Sequence, residues 1–248
     1  MHDSSDCAAW LHGSEAACDC RSTTPTRPYR MVLMGPPGVG KGTQADLLGN
    51  YFQPCHLSTG DVFRAATCQS GPEHLSPSMT AALDYMKRGM LAPDETVIDM
   101  IRERARCLAC QHGFLLDGFP RSVAQAKALD AMLEGLCLRL DAVVNYTLPT
   151  AQVVERLSGR RTCRGCKATF HVQGKPPKVE NVCDHCEGEL YQREDDYPEA
   201  IHTRLAEYKR STTPLEAFYA RNGVLVTVSA EGAPEDIFQR TVDAVLSI

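Results

Sequence analysis

The stretch GPPGVGKGT, from Gly35 to Thr43, constrains this chain more than any other. It follows a short apolar run, YRMVLMG (Tyr29 to Gly35), that reads as a buried strand ended by glycine and proline. A helical pattern follows from about Gly40 to Tyr51. A glycine-rich turn between strand and helix can point its backbone N–H groups inward around phosphate oxygens, and the helix N-terminus adds partial positive charge. Lys41 supplies a point charge that can reach the outer phosphates. Gly38, Val39, Gly40, Lys41, Gly42 and Thr43 are therefore candidate contacts to a phosphate-bearing ligand. In the common form of this loop Ser or Thr follows the lysine directly; here Gly42 intervenes and Thr43 comes next.

The rest of the chain repeats the alternation. CHLSTGD (Cys55 to Asp61), GFLLDGFP (Gly113 to Pro120), DAVVNYTL (Asp141 to Leu148) and GVLVTVS (Gly223 to Ser229) read as further strands. Helical patterns cover 61–92 (broken at SGPEHLSP), 94–110, 122–135, 150–158 and 197–221, with Thr59 or Asp61 capping the first of them. Apolar strands alternating with helices predict an α/β fold with a parallel sheet covered on both faces. The pattern breaks between 159 and 196, which reads as an insertion.

The 248 residues suffice for one large domain, or a core with an insertion. A net charge of −5 argues against a chain whose main task is to coat nucleic acid, since phosphate backbones call for a cationic surface. No apolar run is long enough to span a membrane. Residues 1–28 lack an apolar signal core and carry Asp3, Asp6, Glu15 and Asp19, so they read as a poorly ordered extension of a cytoplasmic chain, an organelle remaining open. Cys7, Cys18 and Cys20 lie in it, without an assigned role.

Twelve cysteines in a chain of that kind point to reduced thiols and metal sites. Cys163, Cys166, Cys183 and Cys186 form two CxxC pairs separated by sixteen residues, the spacing of a four-thiolate zinc site. Four protein ligands leave no open position for substrate, so such a site is structural. Paired disulfides are the alternative, and iron or cobalt can replace zinc in such a site. His171 and His185 lie nearby but are not needed. Cys107 and Cys110 have no second pair close in sequence and read as buried thiols.

Several separated motifs, in order, carry a resemblance: GPPGVGKGT, LSTGDVFR, FLLDGFPRSVAQA, GRRTCRGC, YQREDD and RLAEYKRSTTPL. Together they resemble the adenylate kinases of the long-lid, zinc-containing form, from about Tyr29 to Ile248. The resemblance implies a P-loop NTPase-type parallel sheet flanked by helices, with an AMP-binding helical insertion (58–92) and a small zinc-containing lid (159–196) on a core of 29–57, 93–158 and 197–248. It implies Mg²⁺-dependent phosphoryl transfer between ATP and AMP, giving two ADP, by a monomer that binds neither nucleic acid nor membrane.

Phosphoryl transfer is governed by positioning and charge neutralisation. Arginine suits this because its planar fork holds two oxygens and stays charged. By resemblance, Lys41, Arg121, Arg160, Arg193, Arg204 and Asp117 are catalytic, with Asp117 orienting water around Mg²⁺. Arg64 and Arg121 hold the AMP phosphate, and Arg160, Arg193 and Arg204 close on the phosphates between the nucleotides. Arg156, Thr169, Phe170 and Gly232 contact the donor, with Arg156 over its adenine. Thr59 and Gln125 recognise the acceptor adenine, flanked by Met90, Leu91, Ala92, Gly118, Phe119 and Pro120. Gly159 and Asp195–Asp196 bracket the insertion as candidate hinges.

The sequence departs from the family at SGPEHLSPSMTAALDYMKRG (Ser70 to Gly89), which is a few residues longer, and at Met90, where Lys is frequent. A monophosphate kinase of other base specificity, a GTP-using relative and a zinc-ribbon nucleic-acid binder with a vestigial phosphate loop are the competing readings.

Overall fold

The computed structural model describes residues 27–60, 83–102 and 105–248. The expected extension, Arg64, and the longer turn after Ser70 fall almost wholly outside them. Five parallel strands form the main sheet: β1 (Tyr29–Met34), β2 (Cys55–Ser58), β3 (Gly113–Asp117), β4 (Ala142–Thr147) and a last strand, β8 (Leu225–Ser229), in the order β2-β3-β1-β4-β8.

Side-chain alternation along β1 explains why the sheet is covered on both sides. Val32 and Met34 enter one apolar cluster and Met31 and Leu33 the other. The first cluster is closed by α2 (Asp94–Arg102), α4 (Val123–Gly135) and α7 (Pro214–Arg221), through residues such as Ile101, Leu129 and Tyr219. The second is closed by α1 (Lys41–Phe52) and α8 (Pro234–Leu246), through Leu48 and Val242. Full burial of each such side chain stabilises by about 1.5–3 kcal/mol. A short α3 (Ala105–Leu108) precedes β3.

Two local expectations change. Thr59 and Gly60 are already helical, and the Thr59 hydroxyl donates to the Gly118 carbonyl (3.0 Å), so Thr59 does not stand ahead of the helix as its cap. The helix expected over 197–221 is two helices, α6 (Pro198–Glu207) and α7, separated by a π-helical turn at Tyr208–Thr212. Pro214 opens α7 at a position where its missing N–H is tolerated. The turn brings the Thr212 hydroxyl to the Arg121 carbonyl (2.9 Å), tying α6 and α7 to the end of β3.

After α5 (Thr150–Ser158) the chain leaves the main sheet. A small antiparallel sheet, β6-β5-β7, is built from β5 (Arg160–Cys163), β6 (Thr169–His171) and β7 (Leu190–Tyr191). Its buried interior is only Cys163, Phe170, Cys183 and Leu190.

Candidate functional site

The loop after β1 has the strand-to-helix placement expected of it. Gly35 has φ 136°, and a Cβ there would lie 2.6 Å from the Tyr146 carbonyl oxygen, so no other residue fits without moving β4. Gly40 caps α1 without a side-chain hydrogen bond, and no acidic residue occupies the first turn. The positive helix end is thus left to an external anion. The Lys41 ammonium folds back onto the carbonyls of Gly35 (2.8 Å) and Pro36 (3.0 Å). Desolvation lowers its pKa to about 8; Asp117 works in the opposite direction, while Arg121, Arg204 and Arg160 add to the fall. These four partners come from three separate stretches of chain, so the fold gathers one lysine, one carboxylate and three guanidinium groups around the loop.

Gly118 organises the acceptor side. Its φ is 82°, and a Cβ would meet Thr59 Oγ1 at 2.7 Å and an Arg121 guanidinium nitrogen at 2.8 Å. Its carbonyl accepts from Thr59 Oγ1 and from Arg121 Nε (2.8 Å). Beside it lies a cavity of about 310 Å³, lined by Thr59, Gly60, Met86, Leu91, Ala92, Val97, Gly118, Arg121 and Gln125. Six of the expected acceptor residues are therefore brought together. Met90 (39 % exposed), Phe119 and Pro120 are not in the lining, and the Phe119 side chain belongs to the main core. Gly60, Met86 and Val97 were not singled out in the sequence, and helical spacing alone gives no reason to separate them from ordinary core positions.

On the donor side, Arg156 donates to the carbonyls of Val39 (3.0 Å) and Ala230 (2.9 Å), joining the phosphate loop to the turn that contains Gly232. Desolvation holds its pKa below the usual arginine value. Thr169 is exposed, whereas the Phe170 side chain is buried with the cysteines.

Asp196 is the largest addition to the sequence reading. Its carboxylate is fully buried and accepts two bonds from the Arg160 fork, through Nε (2.7 Å) and Nη2 (2.5 Å), and one from Arg204 (3.0 Å). Arg204 also pairs with Asp195 (2.9 Å). A solvated acidic turn is thereby excluded for Asp196. Arg193 donates to the Thr162 hydroxyl (2.8 Å) on β5. The acidic pair next to an arginine was the only sequence signal, and the contact spans 36 residues.

The four cysteines converge, each pair of Sγ atoms lying within 4.8 Å. Sγ separations of 3.4 Å (Cys163–Cys186) and 3.5 Å (Cys166–Cys183) are far too long for S–S bonds, so all four are free thiols. A tetrahedral site with Zn–S near 2.3 Å calls for sulfurs about 3.8 Å apart, and the cluster fits that demand. The two CxxC turns are built alike. Cys163 N–H donates to the Ala168 carbonyl and Cys183 N–H to the Gly188 carbonyl, each at 2.9 Å. Each turn continues into a residue with left-handed φ, Lys167 at 63° and Glu187 at 59°. The Gly188 N–H draws the exposed Cys186 thiol down to about 6, while desolvation pushes Cys166 up to about 12. His171 is occupied elsewhere, its Nδ1 accepting from the N–H groups of Gln173 (3.1 Å) and Gly174 (3.0 Å). Cys107 and Cys110 are buried, as expected.

No helix of the described residues is long and apolar enough to cross a membrane. The family described as Adenylate kinase matches residues 33–224. A curated adenylate kinase of Carboxydothermus hydrogenoformans is 48% identical over 84% of this chain and 95% of its own length. That of Desulforamulus reducens is 47% identical over 81% and 92%. That of Streptomyces avermitilis is 48% identical over 87% and 96%. With a phosphate loop, a basic cluster around it and a four-cysteine insertion in one fold, this chain belongs to the adenylate kinase family.

Proposed function

We propose that this chain catalyses reversible, Mg²⁺-dependent phosphoryl transfer from ATP to AMP, giving two ADP. The observation that carries the reading is the charge cluster around Lys41, in which Asp117, Arg121, Arg160 and Arg204 all act on one ammonium. Such a cluster has little use except to bring two polyanions together.

An oxygen of the AMP phosphate attacks the γ-phosphorus of ATP. The bond to the β–γ bridging oxygen breaks, and ADP leaves on either side. No proton need be removed from an ionised phosphate, so the protein acts by alignment and charge neutralisation. Lys41 and the α1 N-terminus hold the donor phosphates, and Arg121, with Arg64, holds the acceptor phosphate. Arg160, Arg193 and Arg204 span the transferred group. Asp117, at the end of β3 beside Lys41, would hold the waters of the magnesium ion, which supplies countercharge to ATP when bound. Arg156 and Gly232 border the donor base, and the buried Phe170 would reach it through its backbone. Thr59 and Gln125 read the acceptor base in the cavity they line.

The stretch 159–196 acts as a lid that excludes water, because water would otherwise accept the phosphoryl group. Its four cysteines hold zinc, whose contribution is structural. Cys107, Cys110 and the histidines take no part. Every group named belongs to one chain, which supports a monomer as the working form, in the cytoplasm.

The test is a coupled assay for ADP formation across AMP, CMP, UMP and GMP, on purified protein with its metal measured. AMP is the expected acceptor. Preference for a pyrimidine nucleotide would overturn the acceptor assignment, and inactivity with every nucleotide would overturn the function.

A further inference from the structure

The cavity beside Gly118 contains a hydrogen-bond circuit that the phosphate chemistry does not use. Gln125 is 1% exposed. Its Oε1 accepts from the Arg121 N–H (2.7 Å), and its Nε2 donates to Asp94 Oδ1 (2.7 Å). The second Asp94 oxygen accepts from Ser122 Oγ (2.8 Å), and Ser122 Oγ in turn accepts from the Gln125 N–H (3.2 Å). Asp94 stands in the first turn of α2, one turn before the cavity residue Val97.

An ionised carboxylate only accepts, and a backbone N–H only donates. Asp94 therefore compels the amide nitrogen of Gln125 to face it, and Arg121 compels the amide oxygen to face the other way. Left to itself, a glutamine amide can turn over and exchange donor for acceptor at little cost. Clamped at both ends, it offers the cavity one remaining N–H on a fixed side and one remaining lone pair on the other.

That polarity matters for a purine. The Watson–Crick edge of adenine presents an acceptor at N1 and a donor at the 6-amino group. Hypoxanthine and guanine present the reverse, a donor at N1 and an acceptor at O6. A base in one pose is matched by one orientation of the amide and opposed by the other. A buried mismatch leaves polar groups unpaired, which is the costly case.

We propose that Asp94 is a specificity-determining positioning residue: by fixing the amide orientation of Gln125, it makes the acceptor site select a 6-amino purine over a 6-oxo purine. This rests on the reading that Gln125 contacts the acceptor base.

The experiment compares kcat/KM for AMP and for IMP, at saturating ATP, in the parent enzyme and in Asp94→Ala, Asp94→Asn and Gln125→Met. Each ratio is taken on one preparation, so a reduced folded fraction lowers both rates alike and leaves the ratio intact. We expect the AMP-over-IMP ratio to fall about tenfold or more in Asp94→Ala, chiefly through KM. Asp94→Asn, which can keep an oxygen toward Gln125 and its amide toward Ser122, retains most of the ratio. Gln125→Met loses the ratio as well. If Gln125→Met loses selectivity while Asp94→Ala keeps it, the orienting role of Asp94 is overturned and Gln125 still reads the base. Equal losses for both acceptors in Asp94→Ala also overturn it, reducing Asp94 to structural support. If Gln125→Met keeps the ratio, Gln125 does not read the base, and the proposal falls with that reading.

Discussion

In the five-stranded sheet, the last four residues of β1 are buried, two on each face, between helices packed on both sides. In the three-stranded sheet, β5 buries two residues, and the whole interior is four side chains, two of them cysteines. The first region draws its stability from apolar area. The second has too little area to hold three strands of two to four residues. It compensates with four sulfurs placed at the spacing of a metal tetrahedron. The difference separates stability from chemistry in opposite ways. The large core can tolerate a desolvated lysine at its edge, because neighbouring burial outweighs it. The small sheet has no such surplus, and its fold depends on a few atoms.

The largest effect is expected at Lys41. Lys41→Met should lower kcat roughly a thousandfold, the scale on which a preorganised charge contact to a transition state contributes. It should also raise the melting temperature at neutral pH, since it removes a cation that is poorly solvated and faces three arginines. The pH dependence has a definite sign. Folded, Lys41 releases its proton at about 8, against an ordinary value of 10.5. Across that window the unfolded chain holds more protons, so this group's contribution to stability rises with pH. Thermal melts of parent and variant from neutral to alkaline pH check this: the gain in the variant should shrink as pH passes through the window. A variant that melts lower than the parent at neutral pH would show that the lysine is a structural tie and would erase the contrast between the regions.

The lid should respond in the other direction. Cys163→Ser should remove bound zinc, measured by elemental analysis, and lower the melting temperature. Activity at low temperature should fall by less than tenfold, since none of the phosphate-binding groups is lost. Cys163 is fully buried and lies opposite Leu190 in the β5–β7 pairing, so its loss reaches the packing of both strands. Equal metal content in variant and parent would refute its role as a ligand.

What could be read from the sequence was local. GPPGVGKGT and the two CxxC pairs are short motifs whose chemistry follows from spacing within a few residues, and the apolar runs marked all five core strands. The acceptor cavity was legible only through several motifs taken together. Asp196 and Asp94 were not legible in their roles, because those roles arise from contacts 36 and 31 residues away, across a sheet edge and between helices. Acidic residues are ordinary in a turn or in the first turn of a helix, and nothing in their neighbourhood marks them as buried or committed. The break between α6 and α7 did carry a signal in Pro214, a residue that starts helices and does not continue them. The helical periodicity on either side obscured it.

The smallest effect sharpens the comparison from within the lid. Arg164 pairs with Glu189 at 2.9 Å, and its guanidinium lies 4.4 Å from the centre of the Tyr191 ring, linking β5 to β7 on the outside. Both partners of the ion pair are largely exposed, at 60% and 66%. Water and salt screen such a pair, and holding two long side chains together costs entropy, so its net value is about 0–1 kcal/mol. The ring contact adds about 0.5–1 kcal/mol at an exposed site. Arg164→Ala should therefore leave the zinc content unchanged and move the melting temperature far less than Cys163→Ser does. If the two variants destabilised the protein equally, surface contacts would be holding the small sheet together. The sulfur cluster would then be an accessory to that sheet, and the two regions would differ in size without differing in the means that stabilise them.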